Sequence, residues 1–353
     1  MGLVLPEHNK ARYGAIGLEF ALGKLNVAQL RQHQGDMQIQ ACASVPYGQD
    51  REQLLHSARA LKPLLTQLLR QHPFKGRRVV TTLPAAMVRT LSLNYRAAGE
   101  QGDAAVIFEL LQGRLKENLD ELVIDYIPTR QDPERADRSA IVAITRREEV
   151  IGYLELLRNA GLEVEGLEIG QVAIRRLITS LTGGASTEHN LVINFASRRS
   201  YITLISGRRL LFDHRMDFGE ETLLQRLSAE LQIDAEMIRA MLADPESADD
   251  STELQGLVME VLLPDLMHLA EEINRALLYA ASELHGQAVT RVYMLGSLAR
   301  WQGLHGQLRR LINIEVVLPD PLSAFADSFA YRGLRQDLCI ATGLALRGLG
   351  VDA

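Results

Sequence analysis

Ile16-Gly17-Leu18-Glu19-Phe20-Ala21 runs into Leu22-Gly23-Lys24-Leu25-Asn26-Val27, and the pattern returns in Leu191-Val192-Ile193-Asn194-Phe195-Ala196, which runs into Ser197-Arg198-Arg199-Ser200-Tyr201-Ile202. In each copy an apolar run ends in a polar residue, a Phe and an Ala, and beyond a corner a second β-prone run follows. This predicts a strand, a tight turn and a returning strand, used twice. The repeat frames the chain as two similar α/β halves.

Working outward, strand-like runs over 13–20, 24–31 and 37–45 form a meander punctuated by Gly23 and Gly35-Asp36. Leu54, Leu61, Leu65 and Leu68 recur at helical spacing within 51–70, and 77–83 returns to strand before Pro84. Between 85 and 160 lie strands at 88–95, 121–129 and 140–145 and helices at 104–117 and 147–160, which read as a small inserted α/β subdomain. A charged loop from Arg130 to Arg138 joins its later strands and reads as solvated surface. A strand from Gly161 and a helix over 172–181 rejoin the first half, and Gly183-Gly184-Ala185-Ser186-Thr187 is the hinge candidate.

The second half repeats the plan, with strands at 190–196, 200–206 and 209–216 and helices at 220–231 and 234–243. The acidic run Asp244 to Glu253 lacks the ligand spacing of a Ca²⁺ loop and reads as a solvated connection. A long amphipathic helix from Leu254 to Ala280 follows, then a strand at 291–295, a helix at 300–311, a strand at 314–318 and a terminal helix from Gln336. The expected domains are 11–84 with 161–188 and 336–349, the insert at 85–160, and a second domain at 189–335.

A chain of 353 residues that is 47% hydrophobic and 23% charged has the make-up of a globular protein with a real core. Its formal charge of −6 argues against a broad phosphate-backbone footprint, so nucleic acid is not an expected partner. Cys42 and Cys339 sit among apolar neighbours, as reduced, buried thiols do. No apolar run approaches the ~18 to 20 residues needed to cross a bilayer, and the start lacks the features of a signal peptide. These readings place the protein in the cytoplasm.

No His-x-x-x-His, Cys-x-x-Cys, Gly-x-Ser-x-Gly, P-loop or Gly-x-Gly-x-x-Gly pattern occurs, so no metal or catalytic residue is expected. Three turns remain candidates for holding phosphate, which needs Gly for close backbone approach and Asp to hold Mg²⁺ through water. At the first, Glu19 keeps a carboxylate but Ala21 and Leu22 replace Gly. At the second, Asn194 keeps the shape of Asp without its charge, with Arg198 and Arg199 beside it. At the third, Met294-Leu295-Gly296-Ser297-Leu298-Ala299, one Gly remains where a strand opens into a helix.

Read in order, Ile16-Gly17-Leu18-Glu19, Val123-Ile124-Asp125-Tyr126, Asn159-Ala160-Gly161-Leu162-Glu163-Val164, Arg215-Met216-Asp217-Phe218-Gly219-Glu220-Glu221-Thr222, Asp234-Ala235-Glu236-Met237-Ile238-Arg239, Arg275-Ala276-Leu277-Leu278-Tyr279 and Cys339-Ile340-Ala341-Thr342-Gly343 resemble the PilM family, the actin-like cytoplasmic proteins of type IV pilus assembly. The resemblance covers essentially the whole chain. It implies the α/β fold of actin, Hsp70 and FtsA: two duplicated domains, the first (1A) carrying a small inserted 1C-type subdomain. It further implies a scaffold that binds the N-terminal cytoplasmic peptide of a PilN-like bitopic membrane protein in the groove between 1A and 1C. Such a protein is peripheral to the inner membrane through its partner and self-associates into a ring or filament.

Family ATP contacts fall on Gly17, Glu19, Gly219, Glu236, Arg239 and Gly296; if ATP with Mg²⁺ binds, Lys24, Asn194 and Ser297 join them, and Glu19 is the only candidate ligand for a Mg²⁺-bound water. The family usually has Asp where Glu19 and Asn194 stand, Lys at Arg239, and a Gly pair at Gly296-Ser297. These departures count against nucleotide binding and more so against hydrolysis, and leave peptide binding untouched. The expectation is a degenerate ATPase acting as a scaffold. The alternatives are a slowly hydrolysing ATPase of the same machinery, an FtsA-like filament, or a type II secretion platform component.

Overall fold

The computed structural model describes residues 11–48, 50–96, 102–131, 137–184, 188–243, 251–301, 303–325 and 330–351. The hinge residues 185–187, part of the charged loop (132–136) and most of the acidic run (244–250) lie outside them. The chain divides into two compact units, Met1–Gly183 with Pro321–Ala353, and Gly184–Asp320.

In the first unit β1 (Arg12–Tyr13) and β2 (Ile16–Phe20) both pair antiparallel with β3 (Lys24–His33), whose other edge pairs with β4 (Asp36–Pro46). Helices α1 (Arg51–His56) and α2 (Ala58–Gln71) follow. They replace the single helix expected over 51–70, because Ser57 takes an extended conformation and its hydroxyl caps Ala60 N–H. Strand β5 (Arg78–Thr82) then pairs parallel with β2.

The insert holds β6 (Arg89–Arg96), α3 (Asp103–Arg114), β7 (Leu122–Gln131) and β8 (Asp137–Arg146) as a three-stranded antiparallel sheet, order β6-β8-β7. Leu93, Tyr95, Ile107, Leu111, Val142 and Ile144 form its own core. Helix α4 (Arg147–Asn159), expected within the insert, buries Tyr153, Leu156 and Leu157 instead with Leu61 and Leu65 in the core of the first unit. Strand β9 (Glu163–Glu168) adds parallel to β5, and α5 (Gly170–Thr182) closes this run.

The second unit opens with the antiparallel meander β10 (His189–Phe195), β11 (Ser200–Ser206) and β12 (Arg209–Met216). Then come α6 (Glu220–Leu231), α7 (Ala235–Ala243) and the long α8 (Ser251–Glu283). Strand β13 (Arg291–Gly296) lies parallel to β10; α9 (Leu304–Ile312) and β14 (Val316–Val317) complete the unit. The helix expected over 300–311 is divided into a 3₁₀ turn at Ser297–Arg300 and α9, with Gly303 at φ +77° between them. Leu191, Ile193, Leu204, Leu223 and Leu262 lie at its centre. Strand order is β12-β11-β10-β13-β14, and in the first unit β4-β3-β2-β5-β9: three antiparallel strands, then two parallel, in both. The echo between Ile16 and Leu191 is a duplication of architecture.

Helix α10 (Cys339–Gly348) returns to the first unit. Ahead of it Leu322 and Phe325 already pack with Leu338 and Leu346, so the second unit ends at Asp320 and not at the expected 335. α10 lies so close that a Cβ on Gly17 would stand 2.0 Å from Ala341 O, and one on Gly343 2.1 Å from Ala173 O. The Ala15 N–H donates to Gly348 O at 3.0 Å. Glu168 of β9 accepts from Arg176 of α5 at 2.8 and 3.1 Å and from Arg347 of α10 at 2.7 Å, while Arg176 also donates to Gly343 O at 2.9 Å.

Two outcomes check this packing. Gly17→Ala is expected to cost about 3 kcal/mol of stability in urea unfolding, because backbone faces the new methyl. Gly113→Ala, where an added Cβ meets nothing within 4 Å, is expected to gain about 0.5–1 kcal/mol through helix propensity. Equal effects at the two sites would refute the close approach. Both cysteines are buried, and burial pushes the Cys42 thiol up to about 12 against the opposing pull of Arg335. Ellman's reagent at pH 8 is therefore expected to titrate neither thiol in the folded protein and both after denaturation.

Candidate functional site

In the first unit the turn after β2 keeps its shape and has already used its polar groups. Glu19, Asn26 and Ser44 stand in register across β2, β3 and β4. Ser44 Oγ donates to Asn26 Oδ1 at 2.7 Å, and Asn26 Nδ2 donates to Glu19 Oε2 at 3.0 Å. The Tyr47 hydroxyl donates to Ala21 O at 2.8 Å and pins the tip, and burial holds that phenol protonated. Lys24 Nζ reaches Asp337 Oδ2 at 2.5 Å and ties the start of β3 to the turn ahead of α10. Gly17 faces α10, where its missing side chain serves packing. Glu19 and Lys24 thus hold protein groups at the position where Mg²⁺ and phosphate were expected to meet them.

The second unit gathers more of the expected residues. Asn194, half-buried, pairs with Tyr201 and Leu295 on the central strand. A Cβ on Gly219 would stand 2.3 Å from Ser197 O, so the start of α6 lies directly on the second turn. There the Glu220 N–H donates to Ala196 O at 3.1 Å and the Glu221 N–H to Ser197 O at 2.8 Å. Gly296, at φ +84°, passes Phe195 O where a Cβ would come within 1.9 Å, a conformation and contact only Gly tolerates. Ser297 beside it is buried, and its Oγ has no hydrogen-bond partner among the described residues.

Glu220, which the sequence did not single out, is the centre of this cluster. It is only 3% exposed. Its Oε1 accepts from the Trp301 indole at 3.1 Å, and its Oε2 lies 3.5 Å from Arg239 Nε. Arg239 also pairs with Glu236 one turn away on α7, and Asp234 caps that helix through the N–H groups of Glu236 and Met237. Arg198 donates to Glu221 at 2.7 Å, and that bond above all holds the Glu221 carboxyl below the usual carboxylate range. A Glu in the first turn of a helix reads as an ordinary solvated N-terminal acid; only the fold brings Trp301 and Arg239 to it.

A polyphosphate needs backbone N–H groups and cations that can turn toward it. At α6 the first N–H groups are taken by carbonyls of the turn, two carboxylates occupy the first turn, and Arg239 is held by Glu220 and Glu236. These groups are engaged within the protein, and no cluster of metal-ligating side chains occurs among the described residues. No described helix is long and apolar enough to cross a membrane.

Exposed apolar groups mark a different place. Val123 on β7 and Ile151 on α4 are 37% and 49% exposed. Val123 pairs with Thr145, two residues ahead of α4, and β7 is an edge strand with β8 as its one neighbour in the sheet. β7 belongs to the inserted sheet, and α4, which neighbours it, packs in the core of the first unit.

No curated protein sequence matches the chain. Among solved structures, the chain is similar to the "PilM-PilN type IV pilus biogenesis complex", with a TM-score of 0.76 and 21% identity over 95% of this chain and 98% of that one. It is also similar to the ethanolamine utilization protein EutJ from Carboxydothermus hydrogenoformans, with a TM-score of 0.55 and 14% identity over 97% of this chain and 90% of that one. The fold is actin-like. The family model for type IV pilus assembly protein PilM matches residues 17–349, and the chain belongs to that family.

Proposed function

We propose that this protein is a cytoplasmic scaffold of type IV pilus assembly that binds the N-terminal peptide of a PilN-like bitopic membrane protein and hydrolyses little or no ATP. The observation that carries the reading is the exposed Val123 on the edge strand β7, with the exposed Ile151 on the neighbouring α4. An extended peptide can add its backbone to a free strand edge while apolar side chains anchor it. The similar solved structure pairs a PilM with a PilN, which supports the choice of partner. On this reading the protein sits at the inner membrane through that partner and self-associates into a ring or filament.

Nucleotide independence is supported by Glu220, whose buried carboxylate accepts from the Trp301 indole and is ion-paired with Arg239. ATP with Mg²⁺ is the ligand of the alternative reading, an ATPase of the same machinery, and the two separate by experiment.

Isothermal titration of the full chain with a PilN-type N-terminal peptide is expected to show binding, and Val123→Asp or Ile151→Asp to weaken it at least tenfold through loss of an apolar anchor. Absence of binding overturns the reading. Mg·ATP is expected to change neither the emission of Trp301, the only tryptophan, nor the melting temperature. A ligand at 100 times its Kd would add about 2.7 kcal/mol, so a bound nucleotide would be visible. Glu220→Ala strands the indole and Arg239, and is expected to cost about 2 kcal/mol and shift Trp301 emission.

A further inference from the structure

A stretch without acidic residues includes α2, away from both turns. From Gln53 to Gly99 the sequence contains no Asp or Glu, in a chain with Asp+Glu 44 against Lys+Arg 38. Several cations of this stretch are matched by acids from elsewhere: Arg78 by Glu165, Arg89 by Glu117 and Arg96 by Asp137. No ion pair engages Arg59, Lys62 or Arg70 among the described residues, and all three are exposed. At 3.6 residues per turn they share one stripe with Pro63 and Thr66, opposite Leu61, Leu65 and Leu68, which are buried in the core. The stripe is about 16 Å long at 1.5 Å per residue. It borders a shallow depression on the helix surface.

We propose that this face of α2 is an electrostatic membrane contact, lying on the surface of an anionic bilayer. The charged heads of Arg59, Lys62 and Arg70 meet lipid phosphates while their aliphatic stems line the depression. The pattern favours a bilayer over an acidic peptide. The cations form a line on a convex helix, no large exposed apolar side chain stands among them to anchor a peptide residue, and a helix has no strand edge to hold a peptide backbone. Three cations give an attraction that is weak alone and screened by salt. That strength suits an accessory contact for a protein already tethered by a membrane partner; this role, unlike the contact itself, rests on the proposed scaffold function.

Flotation of the full chain with vesicles, without any partner, tests the contact. The protein is expected to float with vesicles rich in phosphatidylglycerol, to stay behind with phosphatidylcholine alone, and to be released by 1 M salt. Each cation near an anionic surface is worth about fivefold in partitioning, so the triple variant Arg59→Gln/Lys62→Gln/Arg70→Gln is expected to lose about 100-fold. Its melting temperature and its affinity for the PilN-type peptide should be unchanged, which separates failure of this contact from failure of the scaffold reading. No flotation with anionic vesicles, equal flotation with neutral ones, or full binding by the triple variant overturns the proposal. So does binding confined to soluble polyglutamate, which would assign the face to an acidic peptide.

Discussion

The first unit depends on one helix lying against its central strand with nothing between the two backbones. Gly17 on β2 removes the single atom that would keep strand and helix apart, and Gly343 on α10 does the same for the contact of that helix with α5. The approach buries Glu168 and Arg176, and Arg347, 37% exposed, reaches the same carboxylate from the surface side. Side chains of Arg176 and Glu168 are 3% and 5% exposed, so neither has water to fall back on. Removing one member of such a buried pair typically costs about 3–5 kcal/mol, because the other charge stays behind unpaired. Lys24 with Asp337 fixes the entry to the same helix. Sheet, α5 and α10 therefore stand or fall together.

At the two turns, shape and side-chain chemistry have separate origins. The shape is set by strand order and by glycines at close approaches, which packing retains whatever the turn binds. The chemistry sits in a few side chains, and three of them are engaged by protein groups: Glu19 by Asn26, Lys24 by Asp337, Arg239 by Glu220. Glu220 and Glu221 also place negative charge in the first turn of α6, where the helix dipole favours it. The anion that such a helix start attracts is already part of the protein.

Architecture was legible in the sequence wherever hydrophobic spacing alone decides it. The meanders at Lys24–His33 and Arg209–Met216 and the helix Glu220–Leu231 lie within a few residues of their expected positions. Spacing shows that Tyr153, Leu156 and Leu157 are buried but not against what, and so α4 was assigned to the insert and not to the core it joins. Gly17 was read by its motif as a phosphate contact, and spacing alone gave no sign that it also admits a helix from the far end of the chain. Glu220 was invisible because its partners, Trp301 and Arg239, are distant in sequence and meet it only in three dimensions.

The return of α10 to the first unit also orders the making of the protein. The second unit is one continuous stretch, Gly184–Asp320, whose contacts close as soon as that stretch exists. The first unit spans it: Ala15, Val80 and Ala173 share a small cluster with Leu344. During synthesis from the N-terminus those three wait uncovered until residues 339–348 leave the ribosome, so the half that starts first finishes last. Contacts of such long sequence separation form slowly and leave apolar surface open in the meantime. A ribosome stalled beyond the second unit would therefore carry one finished body and one unfinished one, with the face of β2 open to chaperones.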